Sequence, residues 1–560
     1  MKNKLLLLVL LAGWNFCHAQ SFDVEQLPKA KKIDWSGSVG ANATGYTASG
    51  IPNRSNPFTW SLNANVNVRI LEVLDLPFSL TVGKYQTQFT KPYLQFGISP
   101  RYKWATLHAG NANLTFNPYT LSGHSFVGAG IELKPGKIRF AAMYGRLNRA
   151  VEIDTSVSNT KIPSFKRMGY GAKIGYGTAE NFIDLIYFHA KDDAGSITSW
   201  KDPEIQAFLG DANTLTPQEN NVFGASGQLT LKKKLTFNFD AGLSYYNKNI
   251  ADSQYLLKKK SINISNDKKI QYAGKAGIGY SFSKLSVRAD YERVLPDYVT
   301  LGSYFFTTDI ENFTFSPSGS FDSSKGTYSL SIGLQKNNLD KTKKETTKRF
   351  IGSANIAYNP NAKWAFNLVY NNFSVNQVRG TEPINDSSRL RQLNQTFTFT
   401  PTYSIIKDSV ATHSLSVTAN YNDVNDRNII TRQFTNMKAA MFSLNHSSSF
   451  TKRSNSINSG LNFNSTKTAA STNTQYGVTL GYSQSFFKQA LTASVGANYN
   501  MSYVSATQDG NIITGNATAS YQFKKRHSFS FNASLIRSNS KQYQSYTELT
   551  GSLSYVLLLK

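Results

Sequence analysis

Between residues 284 and 293 the sequence KLSVRADYER places Leu285, Val287, Ala289 and Tyr291 at odd positions and Ser286, Arg288, Asp290 and Glu292 at even ones. Residues two apart share one face of a strand. A face carrying charges of both signs among small polar residues suits a confined aqueous wall. The chemistry open to such a wall is electrostatic: fixed charges that select what passes them. The same phase places Glu132, Arg139, Arg167, Lys173, Asp240 and Lys275 on inward faces beside Arg288, Asp290 and Glu292. Bases outnumber acids in this set, which predicts a preference for anions. Pairing across strands accounts for the same residues equally well. Glu132 and Arg139 are one expected pair: a four-residue turn at Lys134-Pro135-Gly136-Lys137 would set Leu133 opposite Ile138 and Glu132 opposite Arg139.

Signals for bond-making chemistry are weak. The single cysteine, Cys17, lies in the first twenty residues, so the chain beyond them has no thiol nucleophile, disulfide or Cys-ligated metal site. His18, His108, His124, His189, His413, His446 and His527 show no metal-ligand spacing. Gly-Tyr-Ser-Gln-Ser at 481–485 lacks the final glycine of a nucleophile elbow. His446 beside Ser447 to Ser449 is the nearest approach to a hydrolase pair. The expectation is a protein that is not an enzyme and uses no cofactor or metal.

The elements that must position the charges are strands. From Trp35 onward the chain is a succession of alternating segments of about 9 to 14 residues, the length of tilted membrane strands. In 490–503, Leu491, Ala493, Val495, Ala497, Tyr499, Met501 and Tyr503 oppose Thr492, Ser494, Gly496, Asn498, Asn500 and Ser502. Short connections recur at 134–137, 177–181, 231–235, 282–285, 359–363, 450–454, 486–490 and 523–527, and several are basic. Longer polar links, such as 192–220, 247–269, 338–348 and 376–390, alternate with them. This rhythm predicts an all-β fold: an antiparallel up-and-down transmembrane β-barrel of about 26 strands, with 22 to 26 acceptable. The first strand is expected near 35–47 and the last near 545–559, with a break at Ser99-Pro100 and a turn inside PSGSFDSSKG. Residues 202–210 are expected to form one or two helical turns inside an outer loop. Tyr46, Trp60, Trp104, Tyr119, Tyr170, Tyr176, Tyr245, Tyr246, Trp364, Tyr499, Tyr503 and Tyr546 are expected in two interfacial girdles.

MKNKLLLLVLLAGWNFCHA at 1–19 has the charge, apolar run and small-residue ending of a secretory signal peptide, with cleavage near Ala19-Gln20. Residues 20–34 follow as a short polar periplasmic lead, and 35–560 as a single barrel domain without a separate plug. Net charge is +26; Lys2 and Lys4 belong to the signal, leaving +24 beyond it. A secreted chain meets little nucleic acid, so lipid phosphates are the expected counter-charge. An aqueous channel already opens at 16 to 18 strands, so either outer loops fold into the lumen or partner proteins plug or cap it.

The chain resembles the large outer-membrane β-barrel proteins of Bacteroidota, in ERVLPDYVTLGSYFFTTDIENFTF (292–315), LDKTKKETTKRFIGSANIAYNPNAKWAFNLVYNNFS (339–374) and the signal ending in Ala19-Gln20. That resemblance implies the outer membrane of a Gram-negative bacterium. It also implies a role as a porin-like channel for small solutes or, alternatively, as a non-enzymatic barrel subunit of a secretion or assembly complex such as a type 9 secretion translocon. It further makes lipopolysaccharide an expected partner, met by Lys341, Lys343, Lys344, Lys348 and Arg349 of the densest basic loop.

Overall fold

The computed structural model describes residues 33–84, 94–152, 163–198, 200, 215–250, 268–385, 387, 389–407 and 410–559. The signal peptide, nearly all of the polar lead and the expected helical turns at 202–210 lie outside the described residues. Alternation of apolar or aromatic residues with Ser, Thr, Asn and Gly leaves no helical stripe to bury, so the chain pairs as strands. The first, β1 (Ile33–Ser49), and the last, β27 (Tyr546–Leu559), lie antiparallel from Gly37 opposite Leu559 to Ser49 opposite Thr547, which closes the sheet. The result is a closed 26-strand antiparallel barrel, and a closed sheet has no open edge.

There are 27 ladder segments because one crossing is interrupted. The segments β4 (Leu94–Ile98) and β5 (Arg101–Tyr102) both pair with β3 (Leu74–Lys84) and β6 (Ala105–Asn113). Between them sits Ser99-Pro100, where proline has no N–H to give the ladder. The turn expected inside 317–326 falls at Asp322, Ser323 and Ser324, all with positive φ. Lys232 and Lys233, at φ 49° and 55°, form the tip of another tight hairpin. Strands spaced about 4.8 Å and tilted about 40° give 26 of them a circumference of roughly 160 Å, too wide for wall side chains to fill.

The turns at the end of the barrel that holds Ile33 and Leu559 are short, and the longer connections lie at the other end, together with two short ones at 469–471 and 505–506. Outward positions carry large apolar side chains, among them Leu62, Tyr144, Ile174, Leu185, Phe223 and Leu553, each more than 45% exposed. Four of the expected girdle residues do not belong to that band. Tyr119 is buried in a connection, and Tyr46, Tyr246 and Tyr546 occupy inward positions of their strands.

The hairpin of β7 (Ser125–Leu133) and β8 (Ile138–Asn148) corrects one expectation. Ile138 N–H donates to Pro135 C=O at 3.1 Å, with Gly136 at φ 62°, so the tight turn closes within the β8 arm. The ladder then begins at Leu133 opposite Phe140, and Glu132 faces Ala141 rather than Arg139. A slip of two residues keeps every side chain on its expected face but changes every partner.

Candidate functional site: the lumen wall and two infolded segments

The charged side of the lumen is built by β7, β8, β9 (Arg167–Gly177), β10 (Phe182–Asp192), β11 (Glu219–Leu231), β12 (Leu235–Asn247), β13 (Lys268–Ser281) and β14 (Leu285–Val294). All nine residues expected to face inward lie on the inward phase of these strands, but they form an arc rather than a ring. Arg139 donates to Asp184 through Nε and Nη2 at 2.7 and 2.9 Å, with Lys173 at 3.9 Å from the same carboxylate. Arg167 makes the same two-pronged pair with Asp192, at 2.7 and 2.9 Å. Arg288 clamps Asp290 on its own strand and donates to Asn238 Oδ1 at 2.7 Å. Glu132 is held by His108 at 3.2 Å and Lys134 at 3.3 Å. In register, Lys275 stands between Asp240 and Glu292.

Asp184 and Asp192 were missed in the sequence because FIDLIYFHAKD is apolar on both faces and hides its phase. Their side chains are 2% exposed. With these two acids and Lys269, the inward positions of β7–β14 carry six bases and six acids. The expected excess of bases, and the anion preference built on it, therefore does not hold for this arc.

Between Asp184 and Asp192 the inner face of β10 is apolar, at Ile186, Phe188 and Ala190, because two segments of the chain fold into the lumen against it. The first, 114–124, connects β6 to β7; the second, 295–309, connects β14 to β15 (Ile310–Phe321). Leu114, Phe116 and Leu121 of the first and Leu301 of the second pack with Phe126, Met143, Leu147, Ile186, Phe188 and Val222 of the wall. Leu121 and Gly302 form a parallel bridge between the two segments. Tyr298 Oη donates to Tyr119 C=O at 2.6 Å, and the Thr300 hydroxyl donates to Thr120 C=O. Such buried groups must find partners, and here backbone and side chain supply them.

The seat depends on missing side chains. Gly224 and Gly242 face each other across β11 and β12. A Cβ on Gly242 would stand 2.3 Å from Tyr298 Oη, and one on Gly224 would stand 2.6 Å from Thr120 Cγ2. Through this window the Asn117 amide reaches the wall's backbone, donating to Ala241 C=O at 3.0 Å and Ala225 C=O at 3.4 Å. Tyr119 Oη donates to Glu292 at 2.8 Å, so one charge of the arc is spent on the infold. Burial, and then that carboxylate, raises the Tyr119 phenol far above its ordinary range; burial does the same to Tyr298. His124 stacks on Tyr304 at 3.9 Å and donates Nδ1–H to Ser125 C=O at 2.8 Å. Burial lowers its pKa, the bond to Ser125 opposes that in part, and the charge of Arg167 adds to it.

The rest of the wall has a different surface. From β15 round through β27 to β3, mid-strand inward positions are Ser, Thr, Asn and Gly with few exceptions, tied by bonds such as Asn420 to Thr398 at 2.7 Å and Asn42 to Ser554 at 2.7 Å. The infolded segments rest on the charged arc and leave this neutral arc uncovered among the described residues.

The basic loop divides. It spans 337–344, because Lys348 and Arg349 belong to β17 (Glu345–Asn361). Lys343 pairs with Asp309 at the base of the second infolded segment, and Lys344 pairs with Glu382 at 3.3 Å. Arg349 turns inward and donates to Gln335 at 2.8 Å. Lys348 points outward, and for Lys341 no carboxylate partner is seen among the described residues. Burial pushes the Asp309 carboxyl up, but Lys343 and the N–H groups of Leu339 and Asn338 outweigh it, so its pKa lies below the ordinary value.

The serines beside His446 lie near the short-turn ends of β20 (Ala411–Asp426) and β21 (Met437–Phe450). Ser448 Oγ sits 2.7 Å from His413 Nδ1 and 3.0 Å from His446 Nε2. Among the described residues neither ring has a carboxylate partner, and the strand's backbone is engaged with its neighbours on both sides. A nucleophile and two bases are present without an oxyanion donor. No group of three His, Cys, Asp or Glu suited to a metal ion occurs among the described residues.

Among solved structures the chain is similar to the siderophore receptor PiuA from Acinetobacter baumannii, at 10% identity over 94% of this chain and 82% of that one, TM-score 0.39. It is similar to BauA, the ferric preacinetobactin receptor of the same organism, at 8% identity over 94% and 81%, TM-score 0.38. The P pilus usher translocation pore PapC is similar at 11% identity over 94% and 100%, TM-score 0.37. The barrel itself is defined by its own strand register, closed between β1 and β27. No family model and no curated protein matches the chain.

Proposed function

We propose that the chain is an outer-membrane, porin-like channel for small hydrophilic solutes, with the path running along the neutral arc. An apolar outward band around a polar interior needs lipid outside and water inside. The observation that carries the proposal is the unequal lumen: charges and infolded segments occupy one side, while the other presents hydroxyl and amide groups without mid-strand charge. Such a wall offers hydrogen bonds to uncharged solutes and little electrostatic preference among ions.

Planar-bilayer recording tests this. The purified barrel should give stable open currents, with a reversal potential close to zero across a salt gradient, and reconstituted vesicles should admit uncharged sugars. A strongly anion-selective current would overturn the neutral path. A silent barrel that co-purifies stoichiometrically with another envelope protein would overturn the channel and establish a subunit of a secretion or assembly complex instead.

A further inference from the structure

The lipid-facing surface carries, at the long-connection end of the barrel, two rows of charge that its own residues do not neutralise. In the first, Arg293 of β14, Glu311 of β15, Lys336 of β16 (Gly326–Lys336) and Lys348 of β17 stand in direct cross-strand register. Glu311 is shared, with Arg293 at 3.2 Å and Lys336 at 3.3 Å. Lys348 faces Lys336 and has no carboxylate partner among the described residues. The second row repeats the order acid, lysine, lysine: Asp423 of β20, Lys438 of β21 and Lys467 of β22 (Asn455–Thr468). Like charges placed opposite each other on neighbouring strands repel, and twice here the pair stands on the outward face.

Each row lies above apolar side chains on the same face. Below the first come Tyr291, Phe313, Leu334 and Phe350, in register across the same four strands. A groove of about 320 Å³ opens there, bounded by Tyr291, Phe313, Leu334, Lys336 and Lys348. A second groove, of about 620 Å³, continues from Arg293 and Tyr291 along Tyr272 and Phe239, where Ala241, Gly274 and Ala276 leave a depression. Below the second row come Tyr421, then Phe442 and Phe463. Paired ammonium groups over an apolar trough match a molecule with phosphate at its head and hydrocarbon beneath.

We propose that Lys336–Lys348 with Arg293, and Lys438–Lys467, are two binding sites for a phosphate-bearing lipid of the outer leaflet, its phosphates on the lysine pairs and its acyl chains along the aromatic rows. This rests on the membrane placement above, but not on conduction. Glu311 holds Lys336 in place, Asp423 stands opposite Lys438 in register, and the farther lysine of each pair is left for the ligand. Lys348 is thus the member of the basic stretch that faces lipid, while Lys343 and Arg349 serve the chain itself.

The test is native mass spectrometry of the full-length barrel in uncharged detergent, with phosphorylated lipid A and its dephosphorylated form as probes. Two phosphorylated lipids should be retained. Each double substitution, Lys336→Gln with Lys348→Gln or Lys438→Gln with Lys467→Gln, should remove one of them by weakening its site about thirtyfold, and Lys→Arg versions should keep both. Equal retention of the dephosphorylated form, or full retention by the four-fold Gln variant, would overturn the proposal. Complete displacement by inorganic phosphate would overturn the acyl contribution and leave an ion site only. Heat-modifiable gel mobility reports on the barrel itself, so loss of the fold is told apart from loss of the sites.

Discussion

Asn117→Ala is the substitution that most directly tests whether the infolded segments narrow the lumen. Asn117 is 2% exposed and makes four bonds: two from its amide to Ala225 and Ala241 carbonyls, and two accepted from Tyr119 N–H and the Thr120 hydroxyl. At about 0.5–1.5 kcal/mol net for each, with the 3.4 Å bond discounted, their loss removes on the order of 3 kcal/mol from the seated state. That corresponds to a shift of roughly 150-fold in the balance between seated and released segment. Single-channel recording should show added open levels or a raised mean conductance, with heat-modifiable mobility unchanged because the barrel ladder is untouched. Asn117→Asp keeps the two acceptor bonds but sets a buried carboxylate oxygen against the Ala225 and Ala241 carbonyls, and should release the segment at least as far as Asn117→Ala. Gly242→Val reaches the same end from the wall, since its Cβ would collide with Tyr298 Oη. If Asn117→Ala and Gly242→Val conduct like the parent, with the same resistance to protease, the infold does not limit the pore.

Three further outcomes follow from the same contacts. Arg139→Leu alone leaves Asp184, 2% exposed, with only Lys173 at 3.9 Å, and should cost about 3–5 kcal/mol, read as a lower temperature for loss of the compact gel form; adding Asp184→Leu should restore most of it. His124 titrates lower when seated than its ordinary 6.5, so the released segment binds the proton more readily. The seat is therefore at full strength above about pH 6.5 and weakens as pH falls through that value; channel noise should rise on acidification, and His124→Phe should abolish the rise. Asp309 acts in the same direction in a lower window: its lowered pKa stabilises the folded loop base above about pH 4 and that contribution is lost below it, and Asp309→Asn should raise protease cutting in 337–344 at neutral pH.

The barrel and the facing of its wall were legible in the sequence because both depend on a period of two. Alternation alone tells which of two adjacent residues is inward, so Glu132, Arg139 and Lys275 lie on the faces expected of them. Partner choice was not legible. A slip of two residues leaves the pattern intact, so nothing in KPGK says whether Glu132 meets Arg139 or Ala141. The infold was half visible: Leu114, Phe116, Tyr119 and Leu121 are too apolar for an exposed connection, and Tyr298, Leu301 and Phe306 repeat the signal in the other segment. Tyr119 was expected in an aromatic girdle because a strand-end tyrosine and an infolded one have the same local sequence.

The sequence by itself thus determined the class of element, the two solvents of the wall and the approximate number of crossings, since each follows from local alternation and turn chemistry. Only the tertiary structure decided that the charges gather on one arc, that Asp184 and Asp192 cancel the excess of bases, and that Lys336 meets Lys348 on the lipid side. Those facts belong to register and to contacts between residues far apart in the chain, 173 apart for Tyr119 and Glu292 and 512 apart for Asn42 and Ser554. Register is set by how turns close and what packs against the wall, and neither leaves a periodic trace in the chain.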